Sequence, residues 1–179
     1  GKKKSAVKKI GSSKLHGSII TFEPDPEIFG NILFDLNTII SHIRQQAYLV
    51  KKLRITVIDA REYTSKIDLD KIYYLADSDV EAVSKTFYFE GGLVSLVKFY
   101  NKTEKAIHST VFYVEKEQDD VGVEVALQYV DDISPRIVAF ANNIYNPEGG
   151  THVTGFKTAL TRILNSYGRK NNLIKESED

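Results

Sequence analysis

The chain has no cysteine, no methionine and no tryptophan, and only four prolines. The missing cysteine excludes disulfides, thiolate zinc sites and cysteine nucleophiles. Histidines occur only at 16, 42, 108 and 152, without ligand spacing, so no metal site is expected. No apolar run approaches the ~20 residues needed to cross a bilayer. No secretory leader is visible, and a cytoplasmic chain is expected. The missing methionine, with Gly1 at the start, points to a processed, excised or engineered fragment. Charge of one sign is also lacking overall, with 24 basic residues against 24 acidic ones. The chain as a whole therefore lacks the basic excess of a nucleic-acid binder. The charge is uneven, however. Lys2, Lys3, Lys4, Lys8, Lys9 and Lys14 precede the first acid, Glu23, and the last five residues are largely acidic. A basic end suits either phosphate contact or a solvated terminus.

What is present is enough for one domain, or a domain plus part of another, at 179 residues. Ala6–Ile10 and Ser18–Phe22 have strand composition, with Gly11, Ser12, Ser13 and Gly17 between them as turn residues. Pro26–Phe29 suits a helical turn. Asp35 suits the cap of a helix to about Leu49, whose stripe is Leu36, Ile39, Ile40, Ile43 and Ala47. Leu53–Asp59 and Ser84–Phe89 are predicted strands, and Leu93–Tyr100 a helix opened by Gly91-Gly92. Residues 60–82 are polar and have no derivable role. Strands are predicted at Ser109–Lys116, Val123–Val130 and Arg136–Asn142, with turns at 118–120 and 131–135. Neighbouring strands this close pair most simply as antiparallel partners. The fold class is α+β (mixed α/β), a mostly antiparallel sheet with helices packed on it.

The richest stretch is 148–168. Gly149 and Gly150 turn freely, and Thr151 is a suitable N-cap. Val153, Phe156, Leu160, Ile163, Leu164 and Tyr167 recur at helical spacing and would cover one face of the sheet. Lys157 and Arg162 fall off that stripe. Gly168, before Arg169 and Lys170, suits a helix stop. His152, Glu90, Asp119, Asp120, Asp131 and Asp132 show no pairing that would assign them chemistry. Glu90 suits a brace for the following helix, and Asn142 and Asn143 suit hydrogen bonds to the loop before the long helix.

Several motifs, in order, carry a family resemblance: Gly17 to Phe29, Arg44 to Leu49 with Arg54 to Asp59, Phe89-Glu90-Gly91-Gly92-Leu93, Gly122 to Tyr129, Phe140 to Ile144, and Gly149-Gly150-Thr151-His152 with its helix. From Gly17 onward the chain resembles the B subunits of bacterial type IIA DNA topoisomerases, DNA gyrase and topoisomerase IV. The resemblance implies that 1–30 are the last strands of a GHKL-type ATPase domain. It implies that 31–179 are a transducer domain with a left-handed βαβ crossover, similar to a ribosomal-protein-like fold. The implied role is to couple ATP binding and hydrolysis to DNA-gate closure and strand passage.

The same resemblance places Gly17 and Ser18 at the edge of an adenine pocket, with His16 where the family has Thr. It places Lys157 and Arg162 near DNA. ATP and Mg2+ would serve the full-length subunit, and none is expected to bind this fragment tightly, because the family's phosphate-binding and catalytic motifs would lie before Gly1 or after Asp179. The implied partners are double-stranded DNA, the topoisomerase A subunit and a second B subunit in an ATP-dependent dimer. No membrane is implied, and the isolated fragment is expected to be inactive. The residues alone also allow a non-catalytic nucleic-acid-binding or interaction module on the same fold.

Overall fold

The computed structural model describes residues 4–9, 11–12, 14, 16–62 and 82–175. Among the described residues ten elements follow in order: α1 (Pro26–Phe29), α2 (Leu36–Leu49), β1 (Arg54–Asp59), β2 (Val83–Tyr88), α3 (Leu93–Tyr100), β3 (Phe112–Gln118), β4 (Val121–Leu127), β5 (Phe140–Ala141), β6 (Ile144–Tyr145) and α4 (Thr151–Lys170). The strands form three two-stranded sheets, β1-β2, β3-β4 and β5-β6. The chain divides into two compact units, Gly1–Ile39 with Ile58–Ser84, and Ile40–Val57 with Lys85–Asp179. The mixed α/β class holds, and both β3-β4 and β5-β6 are antiparallel.

In the first unit, aspartates start the helices. Asp25 Oδ1 accepts from the Glu27 amide at 2.9 Å, and Pro26 presets the first turn of α1. Asp35 Oδ1 accepts from the Thr38 amide at 2.6 Å, and its hydrogen bonds with Thr38 hold its carboxyl below the usual range. Arg61 grips both oxygens of Asp59, at 2.8 and 2.6 Å, and donates to the Phe34 carbonyl at 2.8 Å. That fork lowers the Asp59 carboxyl to about 2.

The predicted strands at Ala6–Ile10 and Ser18–Phe22 do not form: Ala6–Lys9 and Ser18–Phe22 are irregular, and Ile10 lies outside the described residues. A strand needs a ladder partner, and among the described residues none pairs with these segments. Ile19, Ile20 and Phe22 are correspondingly exposed. Most of the 60–82 insertion, from 63 to 81, and the last four residues of the acidic tail also lie outside the described residues.

The second unit holds the buried core: Ala47, Tyr48, Phe87 and Leu96. Ala47 and Tyr48 come from α2, Phe87 from β2 and Leu96 from α3. Tyr48 stacks on Phe89 at 3.7 Å, and the Arg44 guanidinium lies 5.5 Å from the Phe87 ring and 5.7 Å from Phe99. Burying each large apolar side chain contributes roughly 1.5–3 kcal/mol, so these few rings dominate the local energetics. α3 spans the predicted residues and packs on β4.

The β3-β4 register pairs Gln118 with Val121, leaving Asp119 and Asp120 as a two-residue turn at φ 51° and 61°. Two consecutive positive φ values match the twist of a hairpin. Asn142 and Asn143, at φ 48° and 65°, make the same kind of turn between β5 and β6. The third predicted strand, Arg136–Asn142, shrinks to Phe140–Ala141 for this reason: the chain reverses at the asparagines and pairs with Ile144–Tyr145. Among the described residues the Asn143 side chain does not tie the loop before α4; its carbonyl instead accepts from Gln46 Nε2 at 2.9 Å.

Candidate functional site

The long helix α4 carries the cationic candidates. Its N-cap is Gly150 and not Thr151, and no side chain caps it. Gly149 sits at φ 74° and Gly150 at φ 150°, so the turn into the helix finishes before Thr151, which becomes the first helical residue. Gly168 does not stop the helix either. It is buried within the last turns, and a β-carbon there would come 3.0 Å from Ile174. The chain folds back so that the Leu173 amide donates to the Gly168 carbonyl at 2.8 Å. The helix ends at Lys170, with Arg169 and Lys170 complementing its dipole.

Val153, Phe156, Ala159 and Leu160 are half-buried, as the periodicity implies. The C-terminal half of the stripe departs from expectation: Ile163, Leu164 and Tyr167 stand 61%, 49% and 61% exposed. The second half of the stripe predicted to cover a sheet face is therefore open to solvent. Lys157 and Arg162 are exposed, and among the described residues neither forms an ion pair. Both ammonium and guanidinium are thus available to an anion. His152 is exposed, with its ring beside the Gly150 backbone.

Gly17 and Ser18 belong to the first unit. Both are exposed, Gly17 takes φ 154°, and nothing lies within 4 Å of a β-carbon added to it. The pair offers one hydroxyl, donor and acceptor, beside an open backbone. That fits an edge contact with a nucleotide base. It offers no carboxylate for magnesium, and among the described residues no group of three acidic or histidine side chains is placed to hold a metal ion.

The sequence did not single out Lys51, which organises the most connected polar cluster. Its ammonium donates to Tyr113 Oη and, at 2.9 Å, to Glu115 Oε2. Glu124 Oε1 lies 3.1 Å away as an ion-pair contact without hydrogen-bond geometry. Tyr113 Oη donates to Glu115 at 2.6 Å. Glu115 and Glu124 are direct cross-strand partners, an arrangement of like charges that the ammonium relieves. The bonds to Tyr113 and then Glu115 raise the Lys51 ammonium above its usual value, and those from Tyr113 and Lys51 lower the Glu115 carboxyl.

Gly92 makes the cluster possible, because a β-carbon there would lie 2.6 Å from Lys51 Cγ. Glu90, expected to brace α3, instead accepts from Tyr88 Oη at 3.2 Å. His108 was also silent in the sequence. The Tyr129 amide donates to its Nε2 at 3.0 Å, so Nδ1 carries the proton and donates to the Thr110 carbonyl at 2.6 Å. This ring is a structural clasp.

The family model described as DNA gyrase B matches residues 92–179. The DNA gyrase B subunit of Halalkalibacterium halodurans is 41% identical over 170 residues, covering 94% of this chain and 24% of that protein. Its counterpart in Thermotoga maritima is 38% identical over 185 residues, covering 99% of this chain and 26% of the relative. For that of Bacillus mycoides the identity is 38%, with 94% and 38% covered. The chain thus spans only about a quarter to two fifths of these relatives' lengths.

Among solved structures, the 43K ATPase domain of Thermus thermophilus gyrase B, crystallised with an aminocoumarin, aligns with a TM-score of 0.67 and 32% identity. That alignment covers 88% of this chain and 38% of the other. The gyrase B protein of Myxococcus xanthus shares the fold, with a TM-score of 0.61 at 21% identity over 76% of this chain and 38% of that one. Among the described residues no helix is long and apolar enough to cross a membrane. In sequence and in structure, the chain is similar to DNA gyrase B proteins through nearly all of its length.

Proposed function

We propose that this chain is the coupling segment of the B subunit of an ATP-dependent type IIA DNA topoisomerase, transmitting ATP binding and hydrolysis to DNA-gate closure and strand passage. The observation that carries the reading is the 38–41% identity, over at least 94% of the chain, to DNA gyrase B subunits. In this reading residues 1–30 complete an ATPase domain, and 31–179 are the transducer with its left-handed βαβ crossover. Gly17 and Ser18 edge the adenine pocket. Lys157 and Arg162, exposed on α4 without acidic partners among the described residues, face the transported duplex and contact its phosphates without reading sequence. ATP and Mg2+ act in the whole subunit. The partners are double-stranded DNA, the A subunit and a second B subunit, and the location is cytoplasmic.

The decisive experiment uses the full subunit with Lys157→Ala. DNA-stimulated ATP turnover is expected to fall, and the salt slope of DNA binding to drop by about one. Unchanged stimulation across a salt series would remove Lys157 from the DNA path. The 179-residue chain alone is expected to show no ATP turnover above a heat-killed control.

A further inference from the structure

A cleft of about 350 Å³ in the second unit is lined by Gln45, Tyr100, Arg136, Ile137, Val138 and Tyr145. Arg136 is the one cation among these residues. Its guanidinium lies 5.5 Å from the centre of the Tyr100 ring, and its Nη1 makes a long, 3.4 Å contact with the Tyr100 carbonyl. Among the described residues no carboxylate pairs with it. A guanidinium carries five N–H donors, so this one is held in place on a ring with most of its donors unspent. Gln45 brings a half-buried carboxamide with no described partner, whereas its neighbour Gln46 is committed to Asn143. Ile137 and Val138 add an aliphatic surface, and Tyr100 and Tyr145 add two rings.

The geometry points to a binding site for a small aromatic carboxylate. A planar guanidinium fork matches a carboxylate bidentately. The single charge of a carboxylate matches the single cation present, whereas a phosphate dianion would be only half neutralised and a neutral ligand would leave the exposed guanidinium to water. Ile137, Val138 and the two rings require a flat apolar body behind the charged group. The volume is at the lower end of small-molecule sites, which fits one or two fused rings. Its lining includes none of Gly17, Ser18, Lys157 and Arg162, and it stands whether or not the proposed coupling role does.

The test titrates the ¹⁵N-labelled 179-residue chain with indole-3-carboxylate and, separately, indole-3-carboxamide, following amide shifts. The carboxylate is expected to give saturable shifts at Gln45, Tyr100, Ile137, Val138 and Tyr145. The carboxamide on the wild-type chain, and the carboxylate on Arg136→Gln, are each expected to bind at least about tenfold more weakly, because a charged hydrogen bond is lost. Arg136→Lys, which keeps the charge without the fork, falls between. Equal affinity for carboxamide and carboxylate, or the absence of saturable shifts from the wild-type chain, overturns the proposal. The wild-type comparison of the two ligands holds even if a variant folds poorly.

Discussion

Gly91-Gly92 and Gly149-Gly150 each precede a helix, and in both pairs the second glycine is the N-cap without a side-chain bond. Their surroundings differ. A β-carbon on Gly91 would come 2.5 Å from Ser95 Oγ, and one on Gly92 2.6 Å from Lys51 Cγ. On Gly149 it would meet only Val153, at an ordinary 3.7 Å. The first pair is a seat on which the Lys51 stem rests. The second is primarily a backbone device that aims α4. An identical dipeptide thus adds packing to conformation in one place and serves mainly conformation in the other, and only the neighbours distinguish them.

The largest effect expected from testing this contrast is for Gly92→Ala. It combines a positive φ of 53° with a collision against Lys51, for a loss of about 2–4 kcal/mol in denaturant unfolding. Adding Lys51→Ala should recover the packing part. Strict additivity in that double-mutant cycle would mean the Lys51 stem does not rest on Gly92. Gly149→Ala comes next. Its φ of 74° alone costs about 1–2 kcal/mol, and Lys51→Ala should leave that loss unchanged.

Smallest is the acid limb of stability. The Glu115 carboxyl is held low by Tyr113 and Lys51 in the folded chain. A depressed carboxylate contributes stability above its unfolded value, near ~4.3, and that contribution is lost as pH falls through the folded value. Lys51→Ala should therefore flatten the fall in stability below about pH 4. The effect is modest, because Glu115 is 64% exposed. A steeper acid limb in the variant, read by urea midpoints across pH, would contradict the cluster.

Much of the local architecture was legible in the sequence. α3 occupies Leu93–Tyr100 as its apolar spacing implies, α2 begins after Asp35 and ends at Leu49, and Pro26–Phe29 forms its short turn. These features rest on contacts one to four residues apart. Ser18–Phe22 and the first part of Arg136–Asn142 had the same kind of credentials and did not become strands. Alternation marks two faces of a segment, but a ladder also needs a partner, and the pattern does not say where that partner is. For the candidate site, the exposure of Lys157 and Arg162 followed from their place off the α4 stripe. Lys51 was invisible because Tyr113 and Glu115 lie 62 and 64 residues away. Arg136 was invisible because its cleft joins α2, the end of α3 and the segment before β5.

By itself the sequence determined where α1, α2 and α3 begin and that Asp119 and Asp120 turn a hairpin, and its ordered motifs carried the family resemblance. Steric limits on φ and hydrogen bonds to adjacent amides act within a few residues, so they can be read along the chain. Tertiary structure decided that α4 runs through Gly168, because Ile174 packs where a side chain would be. It also decided that Gly92 is a seat for Lys51, and that an ammonium lies beside two glutamates facing each other across a hairpin. Those outcomes depend on which distant surfaces meet, and packing energies of that kind exist only once the chain has folded.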